Sequence, residues 1–548
     1  MDTLPTVLFL VLAGGAAWYA WQRSQRRKNH VLENLPGPPS RSFFKGSLGE
    51  MFHRHAWLFQ TDVALNYGPV VKLRGFLNRP IVFVSDPTAL HTMIIKEEHI
   101  FEESQSFILG NKLIFGPGLL ATLGDQHRKQ RKILNPVFSV AHMRNMLPLF
   151  YDVIYRLRDA ISLQVKSGQS EIDILAWTGR VALELIGQSG LGYSFDDFVS
   201  DMKDDYGAAL KALFPRLMDV DILQRLLPYM PLTVPAGVRR LAISLMPNAA
   251  VQKLRSIVDV MSARSVRIFM SKRKALADGD EAVLEQIGKG KDIMSVLMKA
   301  NELASENDRL SEEELIGQMS TLVFAAVDTT SNTVARILHI LSERPHVQDK
   351  LRQEILAAGA HNKFSYDELN KLPFLNAVCR ETLRLYPIGT TVMRVPNKDT
   401  VLPLSEPVVG VDGTIIKEIP IPKGTEVLVG AWACNIKKSL WGEDSTEWKP
   451  ERWVNGLPTA VLEAPIPGVY SHLMTFLGGK RACIGFKFSE MEMKVLLSVL
   501  LSAFTFEPTG RPIIWNLAGV IYPTTSRESE TPEMFLKVGL YSEGAKTE

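Results

Sequence analysis

The sequence lacks several features that would assign it to common classes. Its 548 residues include only three cysteines, Cys379, Cys434 and Cys483, too few and too scattered for a disulfide framework, which favours a reducing compartment. The formal net charge is only +3, and no basic run interleaved with aromatic residues is present. Both features argue against a nucleic-acid partner. No Cys-x-x-Cys or His-x-x-x-His spacing predicts a metal site made from side chains alone.

Apolar residues are abundant, at 46% of the chain, which is ample for a large core. The length by itself suggests three or four domains. However, no flexible low-complexity linker divides the chain after about residue 40. We therefore predict one large domain over residues 41–548.

The N-terminal segment has a different character from this domain. Residues 3–21 are almost uncharged, and at 1.5 Å per residue they would span roughly 28 Å, close to the thickness of a bilayer. Arginines and a lysine follow between positions 23 and 28, which orients the rest of the chain toward the cytoplasm and is the opposite charge order to a signal peptide. We predict a single transmembrane anchor over residues 1–22, with an interfacial or cleaved segment as the alternative. Residues 23–40 form a basic, proline-rich hinge.

Periodicity predicts mainly helices with a small β lobe. Residues 70–73 and 81–84 alternate as a hairpin, and a second β-rich region covers 408–429, with a turn at Asp412-Gly413. Ser311 and Glu314 have the spacing of a capping box that begins a long helix ending near Ser342. Charged residues and glycines between 271 and 292 predict a mobile surface loop.

A glycine-rich stretch before another helix carries the strongest chemical signal. Gly478 and Gly479 have no Cβ and so permit close approach of the backbone to a flat cofactor. Helical spacing from Ile484 onward places Cys483 near a helix N-terminus, where backbone amides favour a thiolate. These features predict a binding site for a thiolate-ligated haem, although a lone cysteine is often only a small buried residue.

The decapeptide 476–485 resembles the haem-binding signature of the cytochrome P-450 family, Phe-x-x-Gly-x-Arg-x-Cys-x-Gly. The resemblance implies the mainly helical cytochrome P-450 fold with a small β lobe, and haem b with Cys483 as the axial ligand to iron. A thiolate ligand donates electron density that favours O–O cleavage. The implied cofactor-binding residues of this loop are Phe476, Gly479, Arg481, Cys483 and Gly485.

Two further motifs resemble those of the family, each with one departure. Gly124–Lys132 is similar to the C-helix motif, with His127 where tryptophan is usual. This implies that Arg131 pairs with a haem propionate, and His127 would add a hydrogen bond. The alternative for the basic residues of this motif is that they only form a solvent-exposed helix face. Arg394 resembles a further propionate partner.

The second of these motifs lies inside the long helix. Ala325–Thr330 is similar to the family's Ala/Gly-Gly-x-Asp/Glu-Thr-Thr, with Ala326 where glycine is usual. The resemblance implies that Asp328 and Thr329 deliver protons during O–O cleavage, a task for a positioned acid and hydroxyl. Hydroxyls in mid-helix also form local hydrogen bonds: they bond to the carbonyl four residues back and weaken the backbone hydrogen bonds of the helix. The alternative is that the two threonines, Thr329 and Thr330, are ordinary β-branched residues that only pack in the helix.

A buried charge network is implied by two separate elements. Glu381 and Arg384 share one helix face at i, i+3, and Arg452 follows in Trp448–Trp453. The family joins such residues into a Glu-Arg-Arg network that holds the haem loop.

The resemblance implies a monooxygenase that takes electrons from NADPH through a reductase, with cytochrome b5 as a further partner. It also implies anchoring in the endoplasmic reticulum membrane, with a cytosolic catalytic domain. The segments that correspond to the family's substrate contacts are mostly apolar, which favours a bulky lipophilic substrate; they are 107–120, 210–217, 322–326, 388–393 and 518–522. The Gly-Asp-Gln-His form of the C-helix motif is most similar to fungal members, several of which oxidise terpenoids and sterols.

The sequence leaves other functions open. The same mechanism would serve fatty acids or aromatic xenobiotics. A reductase-independent haem-thiolate isomerase or dehydratase, and a non-catalytic haem sensor, are alternatives in other classes. The intact cysteine loop and the Asp328–Thr329 pair argue against the isomerase or dehydratase, and the Asp328–Thr329 pair argues against the sensor.

Overall fold

The structure is a computed structural model that describes residues 30–199, 205–230, 234–279, 281–282, 287, 289–359 and 363–542. The predicted anchor, residues 1–22, and the first part of the predicted hinge lie outside these residues. Within the described residues, no helix combines the length and the apolar character needed to cross a bilayer.

Helices dominate the described chain, as the periodicity predicts. Two are π-helices, Thr92–Lys96 and Ile186–Leu191. The α-helices are His30–Asn34, Leu48–Met51, Trp57–Asn66, Pro87–His91, Gln105–Phe115, Gly124–Leu134, Val140–Lys166, Ile174–Leu185, Asp205–Asp219, Asp221–Leu226, Ala236–Ser244, Ala249–Asp278, Ile293–Leu303, Glu312–Ser342, Pro345–Ala357, Tyr366–Asn370, Pro373–Leu385, Ala431–Asn435, Lys438–Trp441, Glu451–Val454, Thr459–Glu463 and Phe486–Ala503.

The long helix Glu312–Ser342, which we call the central helix, organises the core. The predicted capping box is present, with the Ser311 hydroxyl accepting from the Glu314 amide and the Glu314 carboxylate accepting from the Ser311 amide. Most side chains of the central helix are buried, because it packs against helices Ile174–Leu185, Ala249–Asp278 and Phe486–Ala503. The prediction of this helix and of its two ends is confirmed.

The β lobe is built around one five-stranded sheet. Its strands are ordered Val70–Arg74, Pro80–Val84, Glu426–Val429, Val392–Pro396 and Phe101–Glu102. The predicted hairpin is confirmed, with Val70 opposite Val84. Phe101–Glu102 pairs with Val392–Pro396 and so brings together two distant parts of the sequence.

The remaining strands form three small sheets. Thr400–Val409 pairs with Ile415–Ile421, so the predicted β region is confirmed and begins earlier than expected. Glu171–Asp173, Phe535–Leu540 and Phe504–Pro508 form a three-stranded sheet, and Ile514–Ala518 pairs with Val520–Thr524.

The prediction of a mobile loop over residues 271–292 is wrong at both of its ends. Helix Ala249–Asp278 continues through the first part. The Lys272 ammonium lies 2.9 Å from the Asp292 carboxylate, and both side chains are buried. Asp292 also caps helix Ile293–Leu303. The sequence does not reveal this arrangement, because the same charged residue types form buried ion pairs and occupy solvent-exposed surfaces.

Candidate active site

Cys483 lies in the loop that precedes helix Phe486–Ala503. Its amide donates to the Phe476 carbonyl at 2.8 Å, and Gly485 is the N-cap of the helix. The side chain has accessible surface, although it lies deep in the protein and burial raises the pKa of its thiol. The sulfur therefore borders an internal space. A hydrogen bond from the Gly485 amide and the charge of Arg131 act in the opposite direction and favour the thiolate.

The two glycines of this loop are required for packing, in addition to the predicted approach to a cofactor. A Cβ at Gly479, where φ is +63°, would overlap the Ile94 carbonyl. A Cβ at Gly478 would overlap the carbonyl of Pro467. These glycines thus let the loop pack against neighbouring backbone, and this packing fixes the position of Cys483.

Hydrogen bonds and ion pairs hold three arginines of the predicted cofactor-binding set near the cysteine loop. Arg131 donates to the Ala482 carbonyl at 2.6 Å, next to Cys483. Arg481 donates to the Thr122 carbonyl at 2.6 Å. Arg394 and Arg481 both contact the carboxylate of Glu103, at 3.3 Å and 3.0 Å. Sequence reasoning missed Glu103, which gave no local signal.

His127 is buried beside these cations. Burial lowers the pKa of His127 to about 3, helped by the positive charges of Arg481, Arg131 and Lys480. Its imidazole is therefore neutral near pH 7 and carries one N–H for donation. His127, Arg394 and Arg481 line one cavity together with Glu103, so the structure brings together these three predicted residues.

The residues at this site fit a haem. Cys483 supplies a sulfur that faces an internal space. Of the three nearby arginines, Arg394 and Arg481 share the carboxylate of Glu103, and Arg131 donates to a backbone carbonyl. The pKa values of Arg131 and Arg481 are lowered by burial, so a further negative group would be bound favourably there. The two propionates of haem b have this character.

The predicted acid and hydroxyl, Asp328 and Thr329, lie on the central helix. The Thr329 hydroxyl donates to the Ala325 carbonyl at 2.7 Å, and Thr333 donates to the Thr329 carbonyl at 2.9 Å. These are the predicted bonds to carbonyls four residues back, and the helix stays unbroken across them. Burial raises the pKa of Asp328 to about 6, opposed by the charge of Lys211. Asp328 is thus poised to exchange a proton near neutral pH.

Accessible surface on the central helix lies on the same side as this pair. Ala325 is exposed in mid-helix, and Thr329, one turn later, is partly exposed, whereas Val323 and Val327 are buried. The Thr330 hydroxyl lies 3.0 Å from the Ser489 hydroxyl and so links the central helix to helix Phe486–Ala503. The cysteine loop and the acid–hydroxyl pair are therefore carried by two directly packed helices.

The predicted charge network is assembled around Glu381. Arg384 donates to its carboxylate at 2.9 Å and 2.8 Å, and Arg452 approaches at 3.5 Å. The Trp453 indole and the Lys449 amide each add a hydrogen bond at 2.9 Å, and neither was predicted. Glu381 and Arg384 are completely buried.

The network extends to the cysteine loop through Asn435. Arg384 donates to the Asn435 carbonyl at 3.0 Å. The Asn435 side chain accepts from the Met474 amide at 2.8 Å and donates to the Thr475 hydroxyl at 3.0 Å. Met474 and Thr475 directly precede Phe476, so the position of the loop is coupled to the buried charges.

Three of the five predicted substrate segments approach the central helix, and a fourth, 322–326, is part of it. Helices Gln105–Phe115 and Asp205–Asp219 and strand Val520–Thr524 all pack against it. The rings of Phe115 and Phe324 have centroids 4.4 Å apart. Residues 388–393 lead instead into strand Val392–Pro396. The side chain of residue 518 lies outside the described set.

The chain is similar to known proteins over almost its whole length. The family model of cytochrome P-450 matches residues 36–526. The chain is 57% identical to cytochrome P-450 monooxygenase 219 of Postia placenta, over 99% of this chain and all of that protein. It is 58% identical to monooxygenase 212 of the same organism, over 97% and 98%. Ganoderic acid synthetase of Ganoderma lucidum is 47% identical over 97% and 98%.

The chain therefore belongs to the cytochrome P-450 family. It is an oxidoreductase of the monooxygenase type. Its cofactor is haem b, and its electrons come from NADPH by way of a reductase.

Proposed function

We propose that this monooxygenase inserts one oxygen atom of O₂ into a bulky polycyclic lipid of the triterpenoid or sterol class. The observation that carries the proposal is the 47% identity, over nearly the full length, to a relative named ganoderic acid synthetase. The apolar segments around the central helix support it, because a large lipophilic substrate needs a large apolar contact surface.

In the proposed site, Cys483 would bind the haem iron through its sulfur, and Phe476, Gly479 and Gly485 would shape its loop. Arg131, Arg394 and Arg481 would receive the two propionates, and His127 would donate one N–H. When bound, the haem supplies oxygen activation and electron transfer. The network of Glu381, Arg384 and Arg452 holds the loop that carries the sulfur.

Proton supply is the proposed task of Asp328 and Thr329. With a pKa of about 6, Asp328 is present in both protonation states near neutral pH. Thr329 can rotate its hydroxyl from the Ala325 carbonyl toward the internal space and hold a proton there. The positive charge of Lys211 keeps the pKa of Asp328 from rising further and so keeps the carboxylate able to accept the next proton.

The redox partners and the cellular location are also proposals. Residues 1–22 anchor the chain in the endoplasmic reticulum membrane, with residues 41–548 as a cytosolic catalytic domain. An NADPH-cytochrome reductase and cytochrome b5 bind near Arg128, Lys132, Lys480 and Lys487. Three of these basic groups contact carboxylates, Asp125, Asp308 and Glu98, so an acidic partner would have to compete with those carboxylates.

The test is reconstitution of the full chain with a reductase in lipid vesicles, followed by mass spectrometry. Separate reactions contain triterpenoids, sterols, fatty acids and aromatic compounds. We expect a product one oxygen heavier from a triterpenoid or sterol, dependent on NADPH and reductase. Products from fatty acids or aromatic compounds alone would contradict the substrate class. Turnover of hydroperoxides without NADPH would instead favour an isomerase or dehydratase.

A further inference from the structure

Glu103 is a buried carboxylate placed between two of the proposed haem-binding arginines. One oxygen lies 3.3 Å from a terminal nitrogen of Arg394, and the other lies 3.0 Å from the Nε of Arg481. The exposed fractions of the three side chains are 9%, 8% and 19%. Each carboxylate oxygen is thus committed to a different guanidinium, away from bulk solvent.

The fold creates this arrangement from three separate parts of the chain. Glu103 directly follows strand Phe101–Glu102, in which Glu102 pairs with Val395, the neighbour of Arg394. Arg481 arrives from the cysteine loop and is held on its other side by the carbonyls of Leu119 and Thr122. Glu103 therefore connects the sheet to the loop that carries Cys483.

The charges of this cluster have a definite balance. Arg131, Arg394 and Arg481 contribute three positive charges, and Glu103 neutralises one of them. The two that remain equal the charge of two propionates. The neighbouring carboxylates act differently: Glu98 pairs with the more exposed Lys480, and the charge of Glu102 acts on Arg481 less strongly than that of Glu103.

We propose that Glu103 is a positioning residue for the haem: it holds Arg394 and Arg481 apart at fixed places and limits the positive charge around the propionates. The inference rests on the proposed haem contacts of these arginines and not on the substrate class. Without the carboxylate, two buried guanidiniums would repel each other, and the site would carry one excess positive charge. That excess would stabilise the reduced haem relative to the oxidised haem.

The experiment measures the reduction potential of the haem in the full-length protein carrying Glu103→Gln. Glutamine keeps the shape and removes the charge. We expect a shift to more positive potential, with the reduced carbon monoxide spectrum still that of a thiolate-ligated haem. Glu103→Asp, which keeps the charge, should restore most of the wild-type potential. Glu98→Gln is the matched control, since it removes a carboxylate from the same cavity and should shift the potential much less.

A potential in Glu103→Gln equal to that of the wild type, or a shift no larger than in Glu98→Gln, would overturn the proposal. Should Glu103→Gln fail to retain haem, retention by Glu103→Asp would support the charge role, and its failure too would overturn it. No substrate enters these measurements, so they are independent of the triterpenoid proposal. A wild-type protein without the thiolate spectrum would instead refute the assignment of Cys483.

Discussion

Glu381, on the cysteine-loop side of the site, and Asp328, on the central helix, are both carboxylates removed from bulk solvent, but their surroundings are opposite. Glu381 accepts hydrogen bonds from two arginines, an indole and a backbone amide. The positive charge of Lys211 acts on the Asp328 carboxylate, but among the described residues none donates a hydrogen bond to that carboxylate. A fully paired carboxylate fixes geometry, whereas a carboxylate with little pairing can gain and lose a proton.

The two sides of the site therefore have different roles. Changes on the loop side should alter haem retention and stability, and changes on the helix side should alter turnover in a protein that still binds haem. A loop-side variant that changed turnover alone, or a helix-side variant that lost haem, would contradict this division.

The largest effect is expected at the loop itself. Cys483→Ala should abolish the thiolate-type spectrum of the reduced carbon monoxide complex, because the other two cysteines are completely buried. Cys379→Ala and Cys434→Ala are controls, since burial raises the pKa of both thiols to about 12 and keeps them neutral. The spectrum should survive in both controls. Loss of the spectrum in either control, or its persistence in Cys483→Ala, would contradict the assignment.

Removal of the Glu381 charge is expected to have the next largest effect. Glu381→Gln leaves the buried Arg384 guanidinium without its anion, which should cost roughly 3–5 kcal/mol of unfolding free energy. Thermal unfolding and haem loss measure it. Asp367→Asn, which breaks the exposed pair with Arg144, should cost only about 0–1 kcal/mol. Equal losses in the two variants would show that the buried network has no special role.

Much of this site could be predicted from the sequence, because its signals are local. The capping box at Ser311, the alternation in the hairpin 70–84 and the spacing around Cys483 each occupy a short stretch. The structure brings Glu381, Arg384 and Arg452 together as predicted, and it places the Asp328–Thr329 pair on an unbroken helix.

The parts that could not be predicted depend on pairing between distant segments. Glu103 meets Arg481 only because a short strand and the cysteine loop converge in the fold. Lys272 and Asp292 look like surface charges until helix packing buries them together. The indole of Trp453 reaches Glu381 through tertiary contact, and no pattern in the sequence marks it.

On the helix side, Asp328→Asn should slow product formation on the order of 100-fold, the lower range for a positioned acid. Wild-type turnover should show an inflection near pH 6, where Asp328 titrates, and the variant should lack it. Haem retention should be unchanged. Loss of haem from the variant, or the same inflection in both proteins, would contradict the proton role.

Asp328→Asn should also change how the unfolding free energy depends on pH. The folded protein binds the Asp328 proton more tightly than the unfolded chain, since the pKa is raised from 3.8 to about 6. Wild-type stability therefore falls as pH rises through that interval. The Asn variant lacks this loss, so its unfolding free energy relative to the wild type should increase from about pH 4 to about pH 6 and then level off.

The smallest expected effect tests the departure at Ala326. Ala326→Gly should cost about 1 kcal/mol of stability, because glycine is a poor helix former. It also removes a half-buried methyl group next to the accessible face formed by Ala325 and Thr329, so we expect more NADPH consumed per product formed as water gains entry. Ala335→Gly is the matched control: it lies on the same helix, is completely buried and should lower stability without changing that ratio. An equal change of the ratio in both variants would mean that the helix as a whole, rather than the groove at Ala326, controls how efficiently protons and electrons reach the product.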